Sequence, residues 1–358
     1  MLLDCMSEVT AQSEDATGRH RSLSIAMATF NGERFLQQQL DSLLRQTVLP
    51  AELVVTDDGS TDSTLKLLSA FQATAPFKVS VVQNSCRLGY RANFMRCISM
   101  CTSDVVALCD QDDVWDPRKI ETALAALAQH DALLFFHDSM LIDAENRPIG
   151  LSNINQLPEV NPPGSFYPLK NPFGYSIVFR RELLRFSHLW EQSLDTNDGD
   201  ERMAHDQWIF FLASVLGTIV CSPLPLVHYR QHGANLYGWN KRYTYKQYLA
   251  DLLRNRHKQF LNFAAVAERR SRIAEQISSM VSGAQARAAQ EAQANYQTLA
   301  QLWQIRADVY TSNSALKRIK APLALLRHGG YAKHNWGFGR RMLVKDILAS
   351  LLHPFLIA

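Results

Sequence analysis

The sequence is poor in the features that place a chain in or beyond a membrane. Its first twenty residues mix Asp4, Glu8, Glu14 and Asp15 with small polar residues and carry no hydrophobic signal core, so residues 1–21 read as a disordered start. One uncharged window, Trp208 to Val227, is long enough to cross a bilayer. Gly217, Pro223 and Pro225 interrupt it, which predicts a buried helix followed by an extended segment. Cysteine is scarce as well: the six cysteines form no CxxC pair and no zinc-finger spacing, and scattered thiols suit a reducing cytosol. Net charge is only +3, so the molecule as a whole is not built to bind nucleic acid. The first strand-to-turn segment, ATFNGERF, has one glycine and no lysine. That argues against the Gly-rich, basic phosphate loop a nucleotidyltransferase would need. A serine or cysteine nucleophile motif is also absent.

What is present is an ordinary globular composition over 358 residues, 47% hydrophobic and 20% charged, with room for one large domain and an appendage or for two domains. Charge is unevenly spread. From Lys317 onward there are eight Lys/Arg (317, 318, 320, 327, 333, 340, 341, 345) against the single acid Asp346, a tail of +7, which leaves about −4 for the rest.

The chain is organised around DVVALCDQDDVWDPR, Asp104 to Arg118. Val105 to Leu108 reads as a strand buried on both faces. Asp110, Asp112 and Asp113 follow at its end, and Asp116-Pro117 supplies a cap and a first-turn proline for a new helix. Carboxylates this close repel one another, so a cation is expected among them. Hard oxygen ligands suit Mg²⁺ or Mn²⁺, held by one or two protein carboxylates with water or phosphate completing the shell.

Other elements alternate around this segment. Ser22 to Thr29 is a first strand and Phe30-Asn31-Gly32 its turn, leading to a helix carrying Phe35, Leu36, Leu40, Leu43 and Leu44. Leu53 to Thr56 is a second strand, closed by Asp57-Asp58-Gly59-Ser60, with a helix through Leu65, Leu68 and Phe71. Val79 to Val82, a helix from Asn93 to Cys101, and the helix Ile120 to Ala128 continue the alternation, followed by the strand Leu133 to Phe136. Such a pattern predicts an α/β fold with a mostly parallel sheet covered by helices, its ligand edge at the carboxyl ends of the strands. Thr29, Asp58 and Asp112 all fall on that edge. Each motif alone is also what a helix cap looks like; their convergence is what points to a site.

A proline-rich loop crosses from Asn153 to Pro172, and Phe173 to Phe179 resumes a strand-like pattern. In RMAHDQWIFFL, His205 and Asp206 head an otherwise apolar helix, where Asp206 is placed either to cap it or to act as a general base. LVHYRQHGAN ends a strand with His228, Arg230 and His232 on alternate positions, a face suited to a diphosphate or to a metal shell. Beyond Trp239 the pattern turns helical: Tyr245 to Val281, then an Ala/Gln-rich helix after Gly283, read as an antiparallel hairpin. The last forty residues add Trp336, Phe338, Leu343, Ile347, Leu348, Leu351, Leu352 and Phe355 to the basic excess. The mixture predicts an interfacial amphipathic segment on an anionic membrane, with packing on the catalytic domain or a second subunit as the other reading.

The order SIAMATFNGERFL, VVTDDGSTDST, QNSCRLGYRANF, DQDDVWDPRK and AHDQWIFF resembles the family 2 glycosyltransferases, inverting enzymes with the GT-A fold, over about Leu23 to Asn235. The form DQDDVW with a later YRQHG is similar to the branch containing many bacterial rhamnosyltransferases of O-antigen and capsule assembly. The resemblance implies a GT-A domain at 22–238; residues 239–358 read, from their own pattern, as a helical region that associates with a membrane. It implies that Thr29, Phe30 and Asp58 hold the base and ribose of a dTDP- or UDP-sugar. Asp110 would face ribose or metal and Asp112 would bind the Mg²⁺ or Mn²⁺ that bridges the diphosphate, with Asp113 one step behind. Asp206 would be the catalytic base, Arg230 and His232 diphosphate or metal ligands, and Arg91 an aid to the phosphates. Ala28 and Phe30 stand where the family commonly has proline and tyrosine; phenylalanine still stacks on a base. The implied partners are a nucleotide-sugar donor, a glycan or lipid-linked acceptor, and the cytoplasmic face of an inner membrane. A glycan-binding protein without turnover is the alternative of another class, and the presence of all three expected acids argues against it.

Overall fold

The structure, a computed structural model, describes residues 22–152, 157–233, 256–312, 314–332 and 337–356. The N-terminal stretch, the expected helix start at Tyr245, the domain boundary near Trp239 and Trp336 lie outside the described residues. Within them the chain divides into two compact units. One comprises the chain up to Pro162, Pro172–Arg185 and the strand segment from Thr218; the other holds Pro163–Asn171, Phe186–Gly217 and the C-terminal helices.

The first unit is built as strand and helix in alternation. β1 (Leu23–Thr29), β2 (Glu52–Asp57), β3 (Lys78–Gln83) and β4 (Val105–Cys109) are separated by α1 (Glu33–Leu44), α2 (Thr64–Thr74) and α3 (Gly89–Met100). Every residue of β2 and β4 is buried, as apolar strands covered on both faces must be. After β4 come the two-residue β5 (Val114–Trp115), α4 (Lys119–Gln129), β6 (Leu134–Ile142), β7 (Pro148–Leu151), β8 (Val160–Asn161) and β9 (Val178–Arg180). The last strand is β10 (Ile219–Arg230). The sheet order is β3-β2-β1-β4-β9-β6-β10-β5, with β7 on β6 and β8 on β10. β3, β2, β1 and β4 are parallel, β6 and β10 are parallel, and β9 runs antiparallel between the two groups.

Two expectations need correction. The segment Phe173 to Phe179 is not one strand: Gly174–Ser176 is a 3₁₀ turn in which Ser176 and Ile177 donate their amides to the carbonyls of Phe173 and Gly174, and only Val178–Arg180 joins the sheet. The strand from Leu134 runs on past His137 and Asp138 to Ile142. Their polarity suggests an end, yet the Asp138 carboxylate accepts the Ser139 amide inside the sheet and His137 is fully buried. Burial holds the His137 imidazole well below its usual pKa, so it is neutral there.

In the second unit α5 (His205–Leu216) is the expected apolar helix, buried from Gln207 to Ala213. α6 (Arg256–Met280) and α7 (Gly283–Thr311) form the hairpin. Ring contacts of Phe263 with Trp303 and of Phe260 with Trp303 and Tyr310, with a Ser271-to-Gln293 hydrogen bond, show that the two run antiparallel. Gly283 turns between them at φ +59°, a backbone region costly for other residues. α8 (Ala315–Arg327) and α9 (Arg340–Leu356) follow and pack on α7. No helix among the described residues is long and apolar enough to cross a membrane.

Candidate active site

Register alone brings the polar ends of four strands together. Thr29 pairs with Asp57, Asp57 with Gln83, and Met27 with Cys109, so Thr29, Asp57-Asp58 and the DQDD loop share one edge. The first polar layer holds the loops to one another. Thr29 donates its hydroxyl to Asp57 Oδ2 (2.9 Å), and the same carboxylate accepts the Gly59 and Ser60 amides and the Ser60 hydroxyl. Asp58, also buried, accepts from the Leu88 and Gly89 amides at 2.7 and 2.8 Å and so ties β2 to the amino end of α3. Asn84 bridges onward, donating to Asp58 and to Asn93, whose amide group reaches the Thr56 carbonyl.

Phe30 follows β1 as a half-buried ring with the Arg87 guanidinium 4.0 Å from its centroid. Arg91, the cation expected near the phosphates, lies in the first turn of α3 with its guanidinium 4.8 Å from the Tyr90 ring. Arg87 is therefore the cation at Phe30, and only its place in the same QNSCRLGYR stretch hinted at it.

The DQDD loop divides its four side chains. Gln111 and Asp113 bind protein: Gln111 exchanges two 3.0 Å hydrogen bonds with the Phe30 backbone, and Asp113 is fully buried with its Oδ1 accepting the Arg230 amide. A Cβ at Gly32 would stand 2.4 Å from Gln111 Oε1, so any larger residue there would have to displace the Gln111 side chain. Asp110 and Asp112 are partly open to solvent. Asp112 Oδ2 lies 2.8 Å from His232 Nε2, with the His232 ring 4.9 Å from Phe35. The sequence-predicted pair thus meets across 120 residues of chain.

Arg230 does something other than expected. Its side chain is buried at 0% exposure, and Nε donates to the Asp112 carbonyl (2.7 Å), Nη1 to Asn146 Oδ1 (2.6 Å) and Nη2 to Gln38 Oε1 (2.8 Å). The guanidinium also stands 4.5 Å from the Phe35 ring centroid. A cation so enclosed pins the acidic loop to α1 and to the turn after β6; that geometry does not suit direct capture of a diphosphate. His228, two residues earlier, is exposed.

Beneath the loop lies a second buried cation that sequence reasoning did not single out. Lys119 donates to the Tyr175 carbonyl at 2.6 Å and sits 3.7 Å from the Trp115 ring centroid. Burial lowers its pKa to about 7 against the pull of Cys109 and the nearby acids. Burial, and then the charges of Asp112 and Asp110, push the Asp113 carboxyl well above its ordinary value.

No three His, Cys, Asp or Glu side chains converge into a closed metal cage among the described residues. The donor set nonetheless fits Mg²⁺ or Mn²⁺, which bind through one or two protein groups and leave the other positions to water and phosphate. Asp112 Oδ2 and His232 Nε2, hydrogen-bonded to each other at 2.8 Å, are the groups that would hold the ion.

Asp206 belongs to the second unit. It sits in the first turn of α5, its Oδ1 accepting the Gln207 amide at 2.8 Å and its Oδ2 the Asn171 side-chain amide at 3.3 Å. Asn171 comes from the proline-rich loop and was not foreseen.

These loops and their order find a counterpart in a sequence family. The model of "Glycosyl transferase family 2" matches residues 24–186, from β1 through β9. Residues 24–186 are a glycosyl transferase family 2 domain. Similar proteins include an uncharacterised glycosyltransferase of Nostoc sp., 27% identical over 219 residues, which cover 60% of this chain and 66% of the relative. The putative glycosyltransferase EpsE of Bacillus subtilis is 32% identical over 159 residues, 44% of this chain and 56% of its own. The dTDP-rhamnosyl transferase RfbG of Shigella flexneri is 25% identical over 241 residues, 64% and 80%. The chain thus spans somewhat under two thirds of the length of the first two. Among solved structures, S. aureus TarS 1–349 superposes with a TM-score of 0.51 at 16% identity, covering 93% of this chain and 91% of TarS, a likeness of fold. The sheet flanked by helices is accordingly the GT-A glycosyltransferase fold, followed here by C-terminal helices.

Proposed function

We propose that this glycosyl transferase family 2 protein is an inverting, metal-dependent enzyme that moves a sugar from a nucleoside diphosphate donor to a hydroxyl of a glycan or lipid-linked acceptor. The reading places it in cell-surface polysaccharide assembly, on the cytoplasmic face of a membrane. L-rhamnose from dTDP-rhamnose is the donor we favour, supported by the DQDDVW and YRQHG forms and by the likeness to RfbG. The observation that carries the proposal is the partly open Asp112–His232 pair beside Asp110, at the edge where Thr29, Phe30 and Asp58 also end.

In this reading Phe30 stacks on the base, Arg87 or Arg91 lies by the phosphates, and Asp110 faces the ribose. Asp112 and His232 would hold Mg²⁺ or Mn²⁺, whose Lewis acidity offsets charge on the departing diphosphate. Arg230 and Asp113 keep Asp112 in place rather than touching the donor. Asp206 accepts the proton of the acceptor hydroxyl as that oxygen attacks the anomeric carbon opposite the leaving group. One displacement inverts the centre, and no covalent nucleophile is required.

Titration calorimetry of the full chain with dTDP and with UDP, each with Mn²⁺ and with EDTA, tests the donor half. Binding that needs the metal and is lost in Asp112→Ala supports it, and the preferred base narrows the donor. Binding unaffected by EDTA and by the substitution would remove the metal from the reading. Absence of binding under every condition would remove the nucleotide as well.

A further inference from the structure

The C-terminal helices sort their apolar residues into two sets that the sequence could not separate. Leu325, Tyr331 and Leu302 form a small core, with Phe338, Met342 and Leu343 packed against it. A second set remains in solvent. On α8, Leu316, Ile319, Leu323 and Leu326 recur at i, i+3, i+7 and i+10, a single stripe of the helix, and Leu316 and Leu323 are 62% and 53% exposed. On α9, Val344, Ile347, Leu348 and Leu351 recur at i, i+3, i+4 and i+7, with Val344 and Leu351 59% and 58% exposed. Large apolar side chains recurring at helical spacing on two consecutive helices are more than the scattered exposure of an ordinary surface.

The charges beside these stripes have one sign. Lys317, Lys320 and Arg327 are exposed on α8, and Arg340 and Arg341 on α9. Arg318 is not among them: it is buried and donates to the Ser312 carbonyl. The one acid of the segment is withdrawn too. Asp346 is fully buried, paired with Arg306 at 3.0 Å and accepting hydroxyls from Tyr310 and Tyr331 at 2.9 Å. No carboxylate between Ala315 and Leu351 therefore reaches the surface to offset the cations.

We infer that α8 and α9 form a docking face for an anionic lipid bilayer, with the leucine stripes entering the headgroup boundary and the Lys and Arg side chains meeting lipid phosphates. The charge pattern selects this occupant. A second copy of the same face would set cation against cation. A nucleic acid would satisfy the cations but leave eight large apolar side chains in water. An interfacial bilayer site answers both sets at once, since apolar burial and attraction to anionic headgroups act together. The inference is independent of the sugar and the base; it adds to the proposed function only the place where a lipid-linked acceptor would be met.

The test is sedimentation of the full chain with vesicles of phosphatidylcholine alone and with one third phosphatidylglycerol, at low and high salt. Binding is expected on the anionic vesicles only, and to weaken with salt. Lys317→Glu/Lys320→Glu should lower it by about fivefold or more for each cation lost, and Leu323→Gln/Leu348→Gln/Leu351→Gln should abolish it, with thermal melts and nucleotide binding retained in both. Equal binding to neutral vesicles, binding to neither kind, or unchanged binding of the leucine variant would overturn the inference. So would light scattering that shows a dimer dissolved by the leucine changes, or retention by a nucleic acid duplex in place of vesicles. Because no nucleotide enters the vesicle assay, the docking face and the transferase reading can fail separately.

Discussion

Replacing Arg230 by lysine separates a pin from a ligand. The charge stays, so a role in gathering a diphosphate would survive in large part; the fork geometry is lost. Arg230 directs Nε, Nη1 and Nη2 to three different partners: the Asp112 carbonyl, Asn146 and Gln38. An ammonium on a flexible stem can serve only one of the three well. Hydrogen bonds from a charged donor contribute about 1.5–3 kcal/mol each, so losing two costs about 3–6 kcal/mol. The lower figure is the better guide, because water can enter beside a shorter head. That is a large part of the about 5–15 kcal/mol by which folded domains are stable, and corresponds to a fall in Tm of about 6–12 °C at 2–4 °C per kcal/mol. Two assays read it: a thermal melt of Arg230→Lys, and calorimetric titration with Mn²⁺ and dTDP. The expected result is a lower melting temperature together with weaker metal-dependent binding, since the Asp112 backbone is no longer held. A variant with the wild-type melt and only weaker dTDP binding would refute the reasoning and return Arg230 to the diphosphate.

Two further outcomes follow from the same structure. Asp206→Asn should lower transfer by about 10²–10⁴-fold, the usual contribution of a general base, while nucleotide affinity by calorimetry stays within twofold; a large loss of affinity would mean that Asp206 shapes the donor site instead. For Glu52, burial pushes the carboxyl up, but bonds from the Ser24 hydroxyl, the Thr102 amide and hydroxyl and Lys78 outweigh it and hold the pKa at about 2 against an ordinary 4.5. A depressed carboxylate adds stability above its unfolded pKa that disappears as pH falls from 4.5 towards 2, here about 3 kcal/mol. Urea midpoints of wild type and Glu52→Gln should therefore differ clearly at neutral pH, draw closer below pH 4.5 and converge only towards pH 2, and a constant difference would contradict this account.

The acidic strand end was legible because two independent patterns met there: an apolar run without polar alternation, and a dense polar loop at its end. Parallel register then placed Thr29, Asp57 and the DQDD loop together with little further information. The division of labour inside DQDD was not legible. It depends on β5 pairing with β10, which brings Arg230 to Asp113 across 117 residues, and no local period encodes that. Alternation correctly set His228 and Arg230 on one face of a strand but said nothing of what covers it. Phe35, Gln38 and the turn at 143–146 close over Arg230, while His228 stays in water. The tail failed in the same way. Leu343 and Leu348 look alike in sequence, and only the helix packing distinguishes the residue packed against the small core from the one left in solvent.

The Arg306–Asp346 pair governs how the tail can be studied. The Arg306 side chain is 4% exposed, enclosed by Phe260 and Phe338 at 4.6 Å from each ring, and Asp346 on α9 is its only ion-pair partner among the described residues. A chain shortened ahead of α9 would strand that guanidinium in an apolar shell, a defect of about 3–5 kcal/mol. A truncated protein that no longer sediments with lipid could then simply have loosened its helical unit. Point changes on the outer stripes leave the pair intact, and only they can separate loss of docking from loss of folding.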